Sequence, residues 1–387
     1  MVSLSVQFFV NGAVYASLIA RLPEIRDQVE VSVDLLGLLL TAGAMTGLAG
    51  SFFVGPVIRT LGTRRILIVG ELLYVCALPI IGFSTSWMVL VIGLIALALV
   101  DVFIDVAMNV QASTVSNRRH RPVMSRLHGV WSMGSVIGGL VAAGVAAAQV
   151  VVHLHLVVVS AVLAVAVLAV RSGLLRSDEQ QAVPSQAQSN GRRWRLAPAM
   201  VALGLASAVA VPLDVVPGEW ATFRLADDFS AGAVLAAAAF TAYTIGATAG
   251  GFAGDAIVAR TGRTRLLRIA AVLSATSVSL ASLIPSASAA LTGFFLAGFG
   301  VALIGPRLAE AAALAPGRPG SGFAVLFIGN RAAGLLAPIA MGTVAGATGG
   351  IGLAMVLLTV PCAVTLVAVA ATAMPANDKA AAAQEDA

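Results

Sequence analysis

Asp101, Asp105 and Asn109 recur every four residues inside one long apolar stretch, a spacing that puts all three on one face of a helix. Two carboxylates one turn apart repel when both are ionised, so one of them holds a proton more readily than an isolated acid does. Such a pair suits a proton relay or a contact to a polar substrate; the competing reading is a hydrogen bond to a neighbouring helix. Arg307 and Glu310, three residues apart directly after Gly305-Pro306, share a helical face and can neutralise one another. Arg331 has no partner at helical spacing. It must pair across helices, with Asp101, Asp105 or Glu310, or meet a carboxylate or phosphate of a substrate. Asn11 is expected to hydrogen-bond into a cavity. His128 titrates near neutral pH if exposed, but a helix-start histidine bonded to its own loop is the stronger expectation.

Further polar groups stand in apolar surroundings. Glu71 lies one turn inside its stretch and is expected to pair with a loop arginine. Asp214 and Glu219 bracket the end of another stretch, where Pro212 and Pro217 are expected to break helical regularity and leave room for binding or gating groups. Trp220 reads as an interfacial anchor. His153 and His155, two apart, point to different sides of a helix and make a poor metal pair. Cys76 and Cys362 read as small buried hydrophobes, and no metal or disulfide spacing is present.

The elements that must position these groups follow from composition. Of 387 residues, 59% are hydrophobic and 11% charged, against about 25% charged in a soluble domain. The mean hydropathy is +0.97. A water-soluble chain cannot hide that much apolar surface, so the fold class is an all-α integral membrane protein. Stretches of the length needed to span lipid are expected at Val2–Ala20, Leu35–Ile58, Ile66–Phe83, Met88–Val110, Gly129–Ala148 and Val150–Val170. A second set runs Pro198–Val216, Ala231–Ala253, Leu266–Leu283, Ala287–Leu314, Gly322–Ala345 and Ile351–Met374. The loops after spans two, four, six and eight carry sixteen arginines, from Arg59 to Arg268; the opposite loops carry Arg21, Arg26 and Arg224 alone. By the positive-inside rule both termini are expected in the cytoplasm, with the chain in the inner (cytoplasmic) membrane. The net charge of +5 belongs to those loops and implies no nucleic acid. The first span, long and without a charged front or a small-residue cleavage site, is not expected to be a signal peptide.

The polar segment from Arg171 to about 197 divides the twelve spans into two sets of six, 1–170 and 198–374, with a tail at 375–387. Each set repeats one device between its second and third spans: Gly55 through Arg59 and Gly62 to Arg64 in the first, Gly254 and Asp255 through Arg260 to Gly262 and Arg263 in the second. In both, the leading glycine is expected to let two helices approach closely, and a Gly-plus-basic turn re-enters the membrane. The repetition suggests two pseudo-symmetric six-helix halves.

This layout, with Gly-x-x-x-x-x-x-Gly-x-Arg-Arg after span two, resembles the signature loop of the major facilitator superfamily. Arg59 stands where that loop usually has an acid that helps latch the halves, which puts the latch in doubt; Asp255 is expected to take the corresponding role in the second half. The blocks Arg21-Leu22-Pro23-Glu24-Ile25-Arg26-Asp27, Asp105 to Gln111, Met124 to Gly134 and Glu219-Trp220 resemble the bacterial sugar-permease-like branch that includes fucose permeases. Arg307, Glu310, Arg331 and Gly251 depart from it. The resemblance implies a monomeric secondary transporter that moves a small polar solute by alternating access, driven by protons or another ion. An alternative is a proton-driven efflux pump: Gly134-Ser135-Val136-Ile137-Gly138-Gly139 resembles the glycine motif of drug–proton antiporters, with Ser135 at the proline position. No Gly-x-x-x-x-Gly-Lys-Ser/Thr run exists to couple ATP, no catalytic constellation assembles, and no cofactor is implied.

Overall fold

A computed structural model describes residues 1–119, 123–175, 198–315 and 321–374, apart from the side chains of Asn117, Ser125, Asp255 and Ala313. The tail at 375–387 and nearly all of the expected linker lie outside the described residues. Every regular element described is helical: α1 (Val2–Ile19), α2 (Leu22–Gln28), α3 (Val33–Leu61), α4 (Thr63–Gly82), α5 (Trp87–Arg119), α6 (Met124–Ala147) and α7 (Val152–Val170), then α8 (Pro198–Phe223), α9 (Ala233–Thr261), α10 (Arg263–Leu283), α11 (Ala287–Ala302), α12 (Ile304–Leu314), α13 (Ser321–Thr348) and α14 (Ile351–Ala373). Twelve segments are long and apolar enough to cross a bilayer. Lipid offers no partner to backbone N–H and C=O groups, so spans satisfy them internally as helices.

Three departures from the expected spans have local causes. The tenth is not one helix: α11 ends at Ala302 and α12 begins at Ile304. Pro306 has no N–H to offer the carbonyl four residues back at Ala302, and its ring crowds that turn. Conversely, Pro212 and Pro217 do not end α8, which runs on to Phe223 and passes into a π-helical turn at Arg224–Asp228. Asp214 and Glu219 therefore sit within a helix rather than at its end. The short α2, with Pro23 in its first turn where no N–H is needed, was not among the expected spans.

The chain forms two compact units, one holding 1–175 with 222–241 and the other 198–221 with 242–374 among the described residues. In the first, α1 packs on α6 and α7, α3 on α5, and α4 on α5 and α7. In the second, α10 packs on α11 and α14, glycines bring α9 against α11, and Gly329 brings α13 against α8. Matching α1 with α8, α3 with α9, and so on, the pairings repeat. In a bilayer, contact between helices depends on close packing rather than on water exclusion, so small residues line these seams. Gly138 of α6 would place a Cβ 2.8 Å from the Ala13 carbonyl of α1, so no larger residue fits.

The repeated device between the second and third spans is seen in both units. Gly62 and Gly262 each have φ 75°, with ψ 150° and 160°, a region only glycine enters without strain. Each closes the preceding helix through its N–H, to Ile58 and Val258 respectively, at 2.9 Å. The expectation for the leading glycines is corrected: a Cβ on Gly55 would meet only the Arg59 guanidinium at 3.5 Å, and one on Gly254 only Leu303 at 3.4 Å, both ordinary contacts. The close approaches lie deeper, where Gly47 of α3 faces the Ala98 carbonyl at 3.3 Å.

Candidate functional site

Asn11, near the middle of α1, is buried and organises the polar interior of the first unit. Its amide nitrogen donates to an Asp101 carboxylate oxygen at 2.8 Å, and its amide oxygen accepts from the Trp131 indole N–H at 2.8 Å. An indole can only donate, so Trp131 fixes which way the Asn11 amide points, and hence that it presents N–H to Asp101. Tyr74 of α4 faces Asp101 as well. Tyr15 closes the group, its ring 6.2 Å from that of Trp131. Helices α1, α4, α5 and α6 thus all contribute to the group, α1 with both Asn11 and Tyr15. Chains of hydrogen bonds in a low dielectric reinforce one another and hold one geometry.

The expected trio on α5 divides. Asp101 turns to Asn11, whereas Asn109 donates at 2.9 Å to both the carboxylate and the carbonyl of Asp105. Asp105 is exposed, and an accessible carboxylate within a lipid-crossing segment belongs against water rather than hydrocarbon. Glu71 corrects another expectation. Among the described residues it pairs with no loop arginine: its side chain is 0% exposed and neither carboxyl oxygen has a hydrogen-bond partner. His128 bonds within its own helix rather than to the loop, with Nδ1 3.1 Å from the Met124 carbonyl and its ring against Phe8. Cys76 is exposed rather than buried, and Trp220 is fully buried rather than interfacial.

In the second unit Asp214 accepts from the Tyr243 hydroxyl. Gly218, one turn along α8, makes room for the Tyr243 ring, which would lie 3.2 Å from a Cβ there. Ser207 donates to Asn330 at 2.7 Å, tying α8 to α13. Arg307 and Glu310 do pair, at 3.0 Å, and Arg263 reaches the other oxygen of Glu310 at 2.9 Å. Arg331 is exposed, and Glu310, one of its expected partners, is bound by those two arginines. Of the loop-motif residues, Arg59 and Arg260 are exposed, Arg64 is half-buried and Gly254 is buried; the side chain of Asp255 lies outside the described residues.

A second polar group in the first unit escaped the sequence reading. Arg26 of α2 grips Asp227 with both terminal nitrogens and lies 5.4 Å over the Phe223 ring. Burial works against its charge, but the hydrogen bonds and charges of Asp227 and Asp27 outweigh it, so Arg26 holds its proton more tightly than free arginine. Nearby, Arg21 binds Glu24 and the Val150 carbonyl, both at 2.8 Å. The available signal was the rarity of arginine in these loops. Trp131 and Tyr74 had no such signal, because their partners are on other helices.

Twelve spans in two repeated sets, buried polar clusters in each unit and no soluble domain among the described residues define a multi-pass membrane transporter. The Major Facilitator Superfamily profile matches residues 4–223, more than half the chain, and the chain belongs to that family. It is therefore a transporter of small molecules and not an enzyme. It is 27% identical over 369 residues to an uncharacterised MFS-type transporter of Yersinia pestis, covering 93% of each chain. To the membrane protein MosC of Rhizobium meliloti it is 25% identical over 348 residues, covering 90% of this chain and 84% of that one. Among solved structures it is similar in fold to the nucleoside transporter NupG, with a TM-score of 0.71 at 12% identity over 96% and 98% of the two chains. A bacterial homologue of the human lysosomal transporter Spinster, in an inward-facing and occupied conformation, gives 0.67 at 15% over 96% and 95%.

Proposed function

We propose that this protein is a secondary active transporter that moves a small polar solute across the cytoplasmic membrane, coupled to protons, by alternating access. The observation that carries the reading is the Asn11–Asp101–Trp131 chain with Tyr74. An acid at membrane depth is expensive and persists where it handles an ion or a polar ligand, and here it is held by Asn11 of α1, itself oriented by Trp131 of α6. Asp105 and Asn109, accessible on the same helix, extend the polar path, and Asp214 with Tyr243 supplies an acid and a hydroxyl in the second unit. The exposed Arg331 is a binding group for an acidic or hydroxyl-rich solute. The arginine-rich loops support cytoplasmic termini, the linker at 171–197 joins two six-helix halves, and the protein acts as a monomer.

Nucleosides and hexoses are the first solutes to try, given the fold likeness to NupG and the sequence resemblance to sugar permeases. The glycine motif behind the efflux alternative has a packing role, since Gly134 and Gly138 seat α6 on α1; it does not favour export. In proteoliposomes, an imposed pH gradient should drive accumulation of at least one member of a nucleoside, hexose and organic-acid panel. Solute flux indifferent to the pH gradient would sink the proton reading.

A further inference from the structure

Gly70 lets α4 come close to α5, where a Cβ would meet Ile104 at 3.0 Å. The next residue, Glu71, is thereby enclosed: no part of it is exposed, and both carboxyl oxygens lack a hydrogen-bond partner. A buried carboxylate without donors is costly as an anion. As a neutral acid it is tolerated. The charge facing it is Asp101, which has what Glu71 lacks: a donor, the Asn11 amide at 2.8 Å.

We propose that Glu71 and Asp101 form the proton-binding pair of this transporter, with Asp101 keeping the negative charge and Glu71 holding the proton. The site rests on the proton-coupled reading above and adds to it the acid that carries the proton. Two neighbouring carboxyls with unlike surroundings divide their roles in this way: the donor-rich one stays ionised and the donor-free one stays neutral. Asp101 is half-exposed, so a proton reaches the pair through it and rests on the enclosed member. Ionisation of Glu71 would place two negative charges side by side with donors for only one, a state that must rearrange or take the proton back.

Few other groups compete. Helix α5 presents Asp101, with Asp105 one turn on occupied by Asn109. Tyr74 on α4 and Tyr15 on α1 share the cluster with Asp101. From α7, Ser160 gives its hydroxyl to the Val75 carbonyl at 2.6 Å, and the histidines of that helix sit at its far end, His153 beside Gly82 and Phe83. Helix α3 has only Asp34 and Arg59 as ionisable residues, at its two ends.

The test is infrared difference spectroscopy of the full chain in lipid, recorded as pH is stepped without added solute, following the C=O stretch of protonated carboxylic acids. The wild type should show a band that disappears reversibly towards alkaline pH. Glu71→Gln should lose it, and so should Glu71→Met, which needs no buried partner and guards against misfolding of the glutamine variant. Asp101→Asn should keep the band but shift its midpoint. A titrating band that survives both Glu71 variants, a Glu71 band that never responds to pH, or a midpoint unmoved by Asp101→Asn would each overturn the pair. Solute flux is not involved, so failure of this pair is distinguishable from failure of proton coupling, which liposome flux reports.

Discussion

Glu71 and Glu310 are both glutamates in membrane-spanning segments, one in each compact unit, and they are held in opposite ways. Glu310 sits between Arg307 and Arg263, so its charge is balanced and Arg307, 5% exposed, relies on it in turn. Glu71 is more deeply enclosed and, among the described residues, has neither an ion-pair partner nor a hydrogen-bond donor. A carboxyl answered by two arginines is a structural pair, whereas a carboxyl answered by none is stable only with its proton on. The lesson is that charge count and depth do not separate function from structure here; the partners do.

Stability in detergent breaks or sharpens that contrast. Glu310→Met takes an ion-pair partner from the buried Arg307 cation and should cost about 3 kcal/mol, read as a clear fall in apparent melting temperature. Glu71→Met removes an unpartnered polar group and should leave the melting temperature unchanged or raised. Equal falls for the two would erase the distinction. The turns offer the complementary case, where the units are alike: Gly62→Ala and Gly262→Ala force a side chain into a glycine-only region and should each cost about 2 kcal/mol. A loss at one turn and none at the other would show that the repeat is not energetically shared.

Smaller effects probe the hydrogen-bonded clusters. Asn11→Ala leaves the Trp131 indole without its acceptor and Asp101 short of a donor, about 1.5 kcal/mol, and should also change tryptophan fluorescence as the indole N–H is freed. Tyr243→Phe removes one bond to Asp214, which keeps access to water, and should cost no more than about 1 kcal/mol. It should therefore affect transport more than melting temperature.

The helices were legible because lipid imposes both length and polarity on each span, and the Gly-plus-basic turn was legible as a repeat, with Gly62 and Gly262 in the same backbone conformation. The Arg307–Glu310 pair was legible too, since three-residue spacing on one helix is enough to bring two side chains together. Helix breaks were not: prolines at 212 and 217 look as disruptive as Pro306, and only tertiary packing decides which helix survives its missing bond. Asp101 and Asp105 looked like one functional pair on spacing alone. A neighbouring helix separated them, because Asn11 of α1 claims Asp101 while Asp105 stays with Asn109 on α5 itself. Glu71 was misread for the same reason, since the nearness of loop arginines in sequence says nothing about which face of α4 the carboxyl takes. Trp131, Tyr74 and the Arg26–Asp227 clamp depend on contacts 27 to 201 residues apart in sequence, a range over which periodicity carries no signal.

The central claim is that solute and proton move together through the Asp101 cluster. Proteoliposomes carrying a pH-sensitive dye, challenged with nucleosides, hexoses and organic acids under no imposed gradient, test it most directly. The wild type should move protons when one of these solutes is added, and Asp101→Asn should abolish that movement while the protein remains monodisperse and folded. Solute transport with no accompanying proton movement in the wild type, or proton movement undiminished in Asp101→Asn, would contradict the account.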